Sequence, residues 1–264
     1  PEGLCTTHRH RQKRYHPRYS VRSSQNVRTV TMYPSTDGTR RQGLMVLAGE
    51  GLGLDMDDPF FRFEQILVLA SGSTIRKRLL EEAGLSVQVS PVPLDEDAMR
   101  ESLEEKQTDA RGMALALAHA KARRSFDLQH AAAGATGLAA DQSLECDGQV
   151  FAKPVDHNDA RRHLLALRGR THALHTAVTL YRDGVELWSH IETPRVTLRS
   201  FSDVFLDRYL EEEGDAILSC VGCYQMEGHG IQLIAALDGA FDAVLGLPRL
   251  PVLQALRDNG VLIA

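Results

Sequence analysis

An α/β fold built on a mixed sheet is predicted by three observations. Short apolar runs alternate with helix-patterned stretches along residues 65–262. Asp183-Gly184, a strong hairpin signal between two apolar stretches, inserts an antiparallel pair into that alternation. The chain has 264 residues, 43% hydrophobic and 25% charged, which is enough for a sizeable core without a disulfide or metal staple.

The elements follow in order. From Gln65 the run Ile66–Ala70 reads as a buried strand. Ser71-Gly72-Ser73 is a turn, and Ser73 is suited to cap a helix that starts near Thr74, aligns Ile75, Leu79 and Ala83, and is closed by Gly84. A second helix is expected over about Asp109–Arg124. Ala135–Ala140 reads as a buried strand ending in Asp141. A third helix should run from near Asp156 to Arg168, with Gly169 as its stop. Thr171–Tyr181 and Val185–Leu198 are the two arms of the hairpin. A helix over Ser202–Glu212 is stopped by Gly214, Ile231–Leu237 and Ala243–Leu245 read as the last strands, and Pro251–Arg257 as the last helix.

Residues 1–62 read differently. Residues 1–44 carry nine Lys and Arg against Glu2 and Asp37, a net +7, and the whole-chain −5 therefore leaves −12 on residues 45–264. We expect residues 1–62 to be a disordered basic extension, or sequence translated ahead of an internal start at Met45 or Met56, and residues 63–264 to form the folded domain. The basic segment has the composition of a transit peptide but lacks the apolar core of a secretory signal. Gly49-Glu50-Gly51-Leu52-Gly53 lacks a preceding strand and is read as chance composition.

Several function classes are excluded. No apolar window is long enough to cross a membrane. An acidic body is poorly suited to neutralise phosphates along a nucleic acid, so no stable nucleic-acid binding is expected. Four cysteines are too few for a disulfide scaffold and fit a reducing, cytoplasmic setting. Cys220-Val221-Gly222-Cys223 has the spacing of a redox dithiol or half a zinc site, but nothing nearby completes either. His172 and His175, three apart on a strand, point to opposite faces and are poorly placed to share a metal.

What remains points to phosphate chemistry. A strand, a Ser/Gly turn and a helix start direct backbone N–H groups at an anion, with Ser71, Ser73 and Arg76 at hand. Lys121 and Lys153 could complete a polyphosphate cradle, and Glu96 and Asp141 could offer oxygen ligands to a hard divalent cation. Taken singly, each lysine reads more simply as a solvated surface residue and Asp141 as a turn cap.

In sequence order, these residues resemble the Maf family of nucleoside triphosphate pyrophosphatases. Leu69-Ala70-Ser71-Gly72-Ser73 with Arg76 is similar to the family's phosphate loop, Asp95-Glu96 to its acidic pair, and Leu117–Ala122 to its LAxxKA helix. Ala139-Ala140-Asp141-Gln142, Lys153-Pro154, Gly169–His172 with Thr176, Gly222 with Tyr224, Glu227–Ile231 and Val244–Pro248 complete the series. The resemblance covers about residues 65–262 and implies an elongated central sheet flanked by helices, of the Maf and inosine triphosphatase kind. It implies hydrolysis of a nucleoside triphosphate to monophosphate and pyrophosphate with Mg²⁺ or Mn²⁺, in a homodimer.

By the same resemblance Asp141 is the proton acceptor, working with Lys121, Lys153 and Glu96, and Asp141 and Glu96 hold the metal. Ser71, Ser73 and Arg76 would bind phosphate, while Ile75, Gln142 and Glu227 would set the base. Gln142 and Glu227 are similar to the 7-methyl-GTP subgroup, whereas Ile75 stands where that subgroup has Trp, and Thr74-Ile75 replaces the usual Ser-Pro-Arg or Ser-Pro-Trp pattern. A 7-methyl-GTP enzyme, a dTTP/UTP pyrophosphatase and a non-catalytic regulator of cell division are the competing readings.

Overall fold

The computed structural model describes residues 20–24, 27–31, 67–128 and 134–262. The chain divides into two units, Pro1–Leu54 and Asp55–Ala264. In the first, β1 (Ser20–Ser24) pairs antiparallel with β2 (Val27–Thr31). This hairpin falls within residues 1–62, the expected disordered extension; the rest of that segment, including the Gly49–Gly53 run, lies outside the described residues.

The second unit begins with β3 (Leu67–Leu69) and α1 (Thr74–Glu82), capped as expected by Ser73, whose side chain accepts from the Arg76 N–H. Next come β4 (Val87–Val89), α2 (Glu96–Glu105) and α3 (Ala110–Asp127), then β5 (Thr136–Cys146), β6 (Gln149–Phe151) and α4 (His157–Leu167). The hairpin consists of β7 (Thr171–Arg182) and β8 (Val185–Glu192), turned through Asp183 and Gly184 at φ 50° and 77°. Then β9 (Arg195–Leu198), α5 (Asp203–Glu213), two 3₁₀ turns (Gly214–Ser219, His229–Leu233), β10 (Ile234–Asp238), α6 (Phe241–Val244) and α7 (Arg249–Asp258) complete the unit.

The mixed eight-stranded sheet runs β10-β9-β7-β5-β3-β4, with β6 on β5 and β8 on β7. Only β3 makes parallel pairs, with β4 and β5. β5 and β7 form the long spine, antiparallel from Thr136↔Arg182 to Glu145↔Ala173. Along its other edge β5 pairs with β3 as far as Leu138 and with β6 only from Leu144. Between them, among the described residues, no strand pairs with the β5 edge at Ala140–Gln142. That gap positions the site.

Two apolar cores lie at the two ends of the spine. One gathers Leu67, Leu79, Leu138 and Leu180 with Val252 and Leu256 of α7, the other Leu144, Leu164, Leu174 and Leu206 with Ile217 and Tyr224. Between them α3 approaches the sheet through Ala114 and Ala118 against Ala177, small residues that allow close contact.

Four expectations are corrected. Asp141 is not at a strand end: β5 continues to Cys146, because pairing with β7 outlasts the apolar run. Val185–Leu198 is two strands, broken at Thr193-Pro194, since Pro194 cannot donate to a ladder. Ala243–Leu245 belongs to a helical turn rather than a strand, and Ile231–Leu233 is 3₁₀, so the last strand starts only at Ile234.

Candidate active site

The cleft at the gap has a volume of about 620 Å³ and is lined by Ser71, Ser73, Ile75, Arg76, Glu96, Lys121, Asp141, Gln142, Lys153 and Glu227, every site residue expected from the sequence. β5 brings Asp141 and Gln142, α3 brings Lys121, α2 brings Glu96, and the loop after β6 brings Lys153.

The centre is a lysine between two carboxylates. Lys121 Nζ lies 2.6 Å from Asp141 Oδ1 and 2.9 Å from Glu96 Oε1. Asp141 is 4% exposed and Lys121 9%, so their attraction acts with little solvent screening. Burial alone would raise the Glu96 carboxyl, but Lys121, Lys153 and Arg100 outweigh it and hold the group below the usual carboxylate range.

Arg100 of α2 was not anticipated. Its Nη2 lies 3.2 Å from Asp141 Oδ2 and its Nη1 donates to Ser143 Oγ at 3.5 Å, so both oxygens of Asp141 face a cation. Four cations (Arg76, Arg100, Lys121, Lys153) and three carboxylates (Glu96, Asp141, Glu227) line the cleft, a net +1 that favours an anionic ligand.

Arg76 serves the fold as well as the cleft. It donates through Nε to Gly246 O at 2.9 Å and through Nη1 to Ala140 O at 3.0 Å and Ser71 Oγ at 3.1 Å, bonds that engage Nε and Nη1 but not Nη2. Ser71 Oγ also accepts from Ser73 N at 3.3 Å, which shapes the turn at the start of α1.

Gln142 is more constrained than expected. Its Nε2 reaches Thr176 Oγ1 at 2.7 Å, Ala243 O at 3.0 Å and Val244 O at 3.1 Å, while Thr176 spends its own hydrogen on Ala243 O. Three acceptors require the amide nitrogen there, so only Oε1 is left to meet a base. Glu227, near Arg78 at 3.8 Å, is not tied in this way.

Residues between Ser219 and Glu227 line another part of the cleft, and Tyr224 is the one aromatic among the described lining residues. Tyr224 hydroxyl meets His172 Nε2 at 2.7 Å, and burial pushes His172 down to about 4, so the ring is neutral at physiological pH. A Cβ at Gly222 would sit 2.5 Å from the Tyr224 ring, so the glycine is there because the ring is. Cys223, 3.7 Å from His163 Nδ1, is buried and pushed up to about 12, hence a packed thiol rather than a nucleophile.

The donor set fits a hard divalent cation. Glu96 Oε1 and Asp141 Oδ1 converge on the point that the Lys121 ammonium now takes. No group of three or more His, Cys, Asp or Glu able to hold a metal occurs among the described residues. Two carboxylates, completed by phosphate and water oxygens, suit Mg²⁺, which is seldom caged by protein alone.

A buried base-like carboxylate flanked by cations, beside a Ser/Gly turn and a helix start in a sheet gap, defines a phosphate-handling α/β protein. Residues 66–259 match the family described as Maf-like protein, and the chain belongs to that family. It is 52% identical over 202 residues to a protein of Gluconobacter oxydans named nucleoside triphosphate pyrophosphatase, covering 76% of this chain and 98% of that one. A protein of the same name from Paramagnetospirillum magneticum is 44% identical over 196 residues, 74% of this chain and all of the relative. One from Mesorhizobium japonicum named 7-methyl-GTP pyrophosphatase is 42% identical over 196 residues, 74% and 97% respectively.

Proposed function

We propose that the protein is a nucleoside triphosphate pyrophosphatase, a hydrolase that converts a nucleoside triphosphate to monophosphate and pyrophosphate. The observation that carries this reading is the Lys121–Asp141–Glu96 convergence in a net-cationic cleft. A regulator without catalysis would have no use for a buried carboxylate aimed into such a cleft.

Asp141 is the proton acceptor. Its two oxygens offer about four lone-pair positions, so the contacts to Lys121 and Arg100 leave room for a water. That water attacks the α-phosphorus while pyrophosphate departs. The barrier is largely one of charge, which Lys121, Lys153 and the amides at the start of α1 stabilise on the phosphoryl oxygens. Asp141 and Glu96 would hold Mg²⁺ or Mn²⁺, which when bound neutralises phosphate charge.

Base choice falls to Glu227 and Ile75, which line the same cleft. A carboxylate only accepts, so it matches the adjacent N1–H and N2–H₂ of guanine, whereas uracil and thymine would turn carbonyls toward it. Ile75 cannot give a cationic methylated guanine the ~0.5–2 kcal/mol that an aromatic face provides. We therefore infer a preference for unmethylated guanine triphosphates. Residues 63–264 are the catalytic domain, and by family likeness it acts as a homodimer in the cytoplasm. No helix among the described residues is long and apolar enough to cross a membrane. Pyrophosphate release from GTP, 7-methyl-GTP, UTP and dTTP with Mg²⁺ tests the reading. No release from any of the four would overturn it.

A further inference from the structure

We infer that Arg100 is a substrate-binding residue: it holds Asp141 in the free protein and moves onto the polyphosphate when the substrate arrives. The inference rests on the pyrophosphatase reading above.

Arg100 lies one helical turn after Glu96, so α2 presents both to the cleft on one face. Its guanidinium is 11% exposed, 3.2 Å from Asp141 Oδ2 and 3.5 Å from Ser143 Oγ. α2 has no fully buried side chain, and among the described residues Glu96 ties it to Lys121 while Arg100 ties it to Asp141 and Ser143. A helix held mainly by ion pairs can shift by small amounts, because few apolar contacts resist.

Substrate changes the competition for these groups. Asp141 must offer a lone pair to water and, with Glu96, oxygens to a divalent cation, while a triphosphate brings several anionic oxygens into the same cleft. The cation that loses its carboxylate partner then faces phosphate. In the free protein Lys121 has two carboxylate partners, Glu96 Oε1 and Asp141 Oδ1, whereas Arg100 has one carboxylate to lose. A guanidinium is also the better match to phosphate, since its planar fork can bind two oxygens at once. Ser143, half of its present anchor, is a neutral hydroxyl at long range and holds it weakly.

Two roles are thereby distinguishable. A residue that only positions Asp141 acts on turnover, whereas one that binds polyphosphate acts on affinity for substrate and for pyrophosphate. The test compares the full-length protein with Arg100→Gln and Arg100→Lys, measuring KM and kcat for GTP and the inhibition constant of Mg-pyrophosphate. We expect Arg100→Gln to raise KM and the pyrophosphate inhibition constant tenfold or more, with Arg100→Lys in between. An unchanged pyrophosphate inhibition constant with reduced kcat would overturn the inference. Should Arg100→Gln not fold, the same split is read from Arg100→Lys. Absence of pyrophosphate release by the unsubstituted protein is a separate result, one that defeats the pyrophosphatase reading itself.

Discussion

Arg76 Nη1 donates to the Ala140 carbonyl at 3.0 Å, so a side chain occupies the edge of β5 where a neighbouring strand would otherwise pair. The same guanidinium holds Ser71 and Gly246, joining the Ser71–Ser73 turn, the spine and the segment before α7. The cleft can be open at Asp141 because Arg76 satisfies the backbone beside it.

Replacing Arg76 with Lys should therefore damage fold and function together. An ammonium cannot reach three divergent acceptors in the plane of a fork. The expected loss is about 1.5–3 kcal/mol of stability, read by urea unfolding, together with a raised KM. Unchanged stability would show that the three contacts are not structural.

Gln142→Glu should destabilise by about 1–3 kcal/mol, since a carboxylate would be set against the carbonyls of Ala243 and Val244. Glu227→Gln, which supplies a donor, should leave stability alone and raise kcat/KM for UTP and dTTP relative to GTP. If the unsubstituted protein already favours pyrimidines, Glu227 does not read the base in this way.

His172 gives a pH dependence with a definite sign. Its folded-state value of about 4 lies below the ordinary 6.5, so the unfolded chain takes up the proton first as pH falls. Stability is full above about 6.5 and is lost progressively between there and about 4. Relative to His172→Gln, the unsubstituted protein should lose about 2 kcal/mol between pH 7.5 and pH 5. Parallel stability profiles for the two proteins would refute this account of the His172–Tyr224 pair.

Deleting residues 1–55 should leave kcat/KM and Tm essentially unchanged, as the opposite charge sign of that segment and the span of the family match, residues 66–259, lead one to expect. A Tm lower by several degrees would show that the segment packs on the domain.

Much of the fold is legible because its signals are local. Ser73, Asp109, Asp156 and Ser202 each cap a helix through a side chain accepting from an N–H three residues on, and Asp183-Gly184 turns the hairpin. Misreadings arose where partners are remote. The apolar run stops at Ala140, but backbone pairing with β7 keeps β5 extended as far as Glu145↔Ala173, which no local pattern encodes. Ala243–Leu245 is too short for periodicity to separate helix from strand. The role of Gln142 depends on carbonyls about a hundred residues away. Arg100 was missed because α2, acidic and without a fully buried residue, carries only a thin apolar stripe.

The central claim is that Asp141 directs water to the α-phosphorus, and isotope placement tests it most directly. GTP is hydrolysed in ¹⁸O-labelled water with Mg²⁺, and the products are weighed by mass spectrometry. The account predicts one ¹⁸O in GMP, unlabelled pyrophosphate, and a turnover about 10²–10⁴ slower for Asp141→Asn, the usual worth of a positioned base. Label in the pyrophosphate, or orthophosphate and GDP as products, would contradict it.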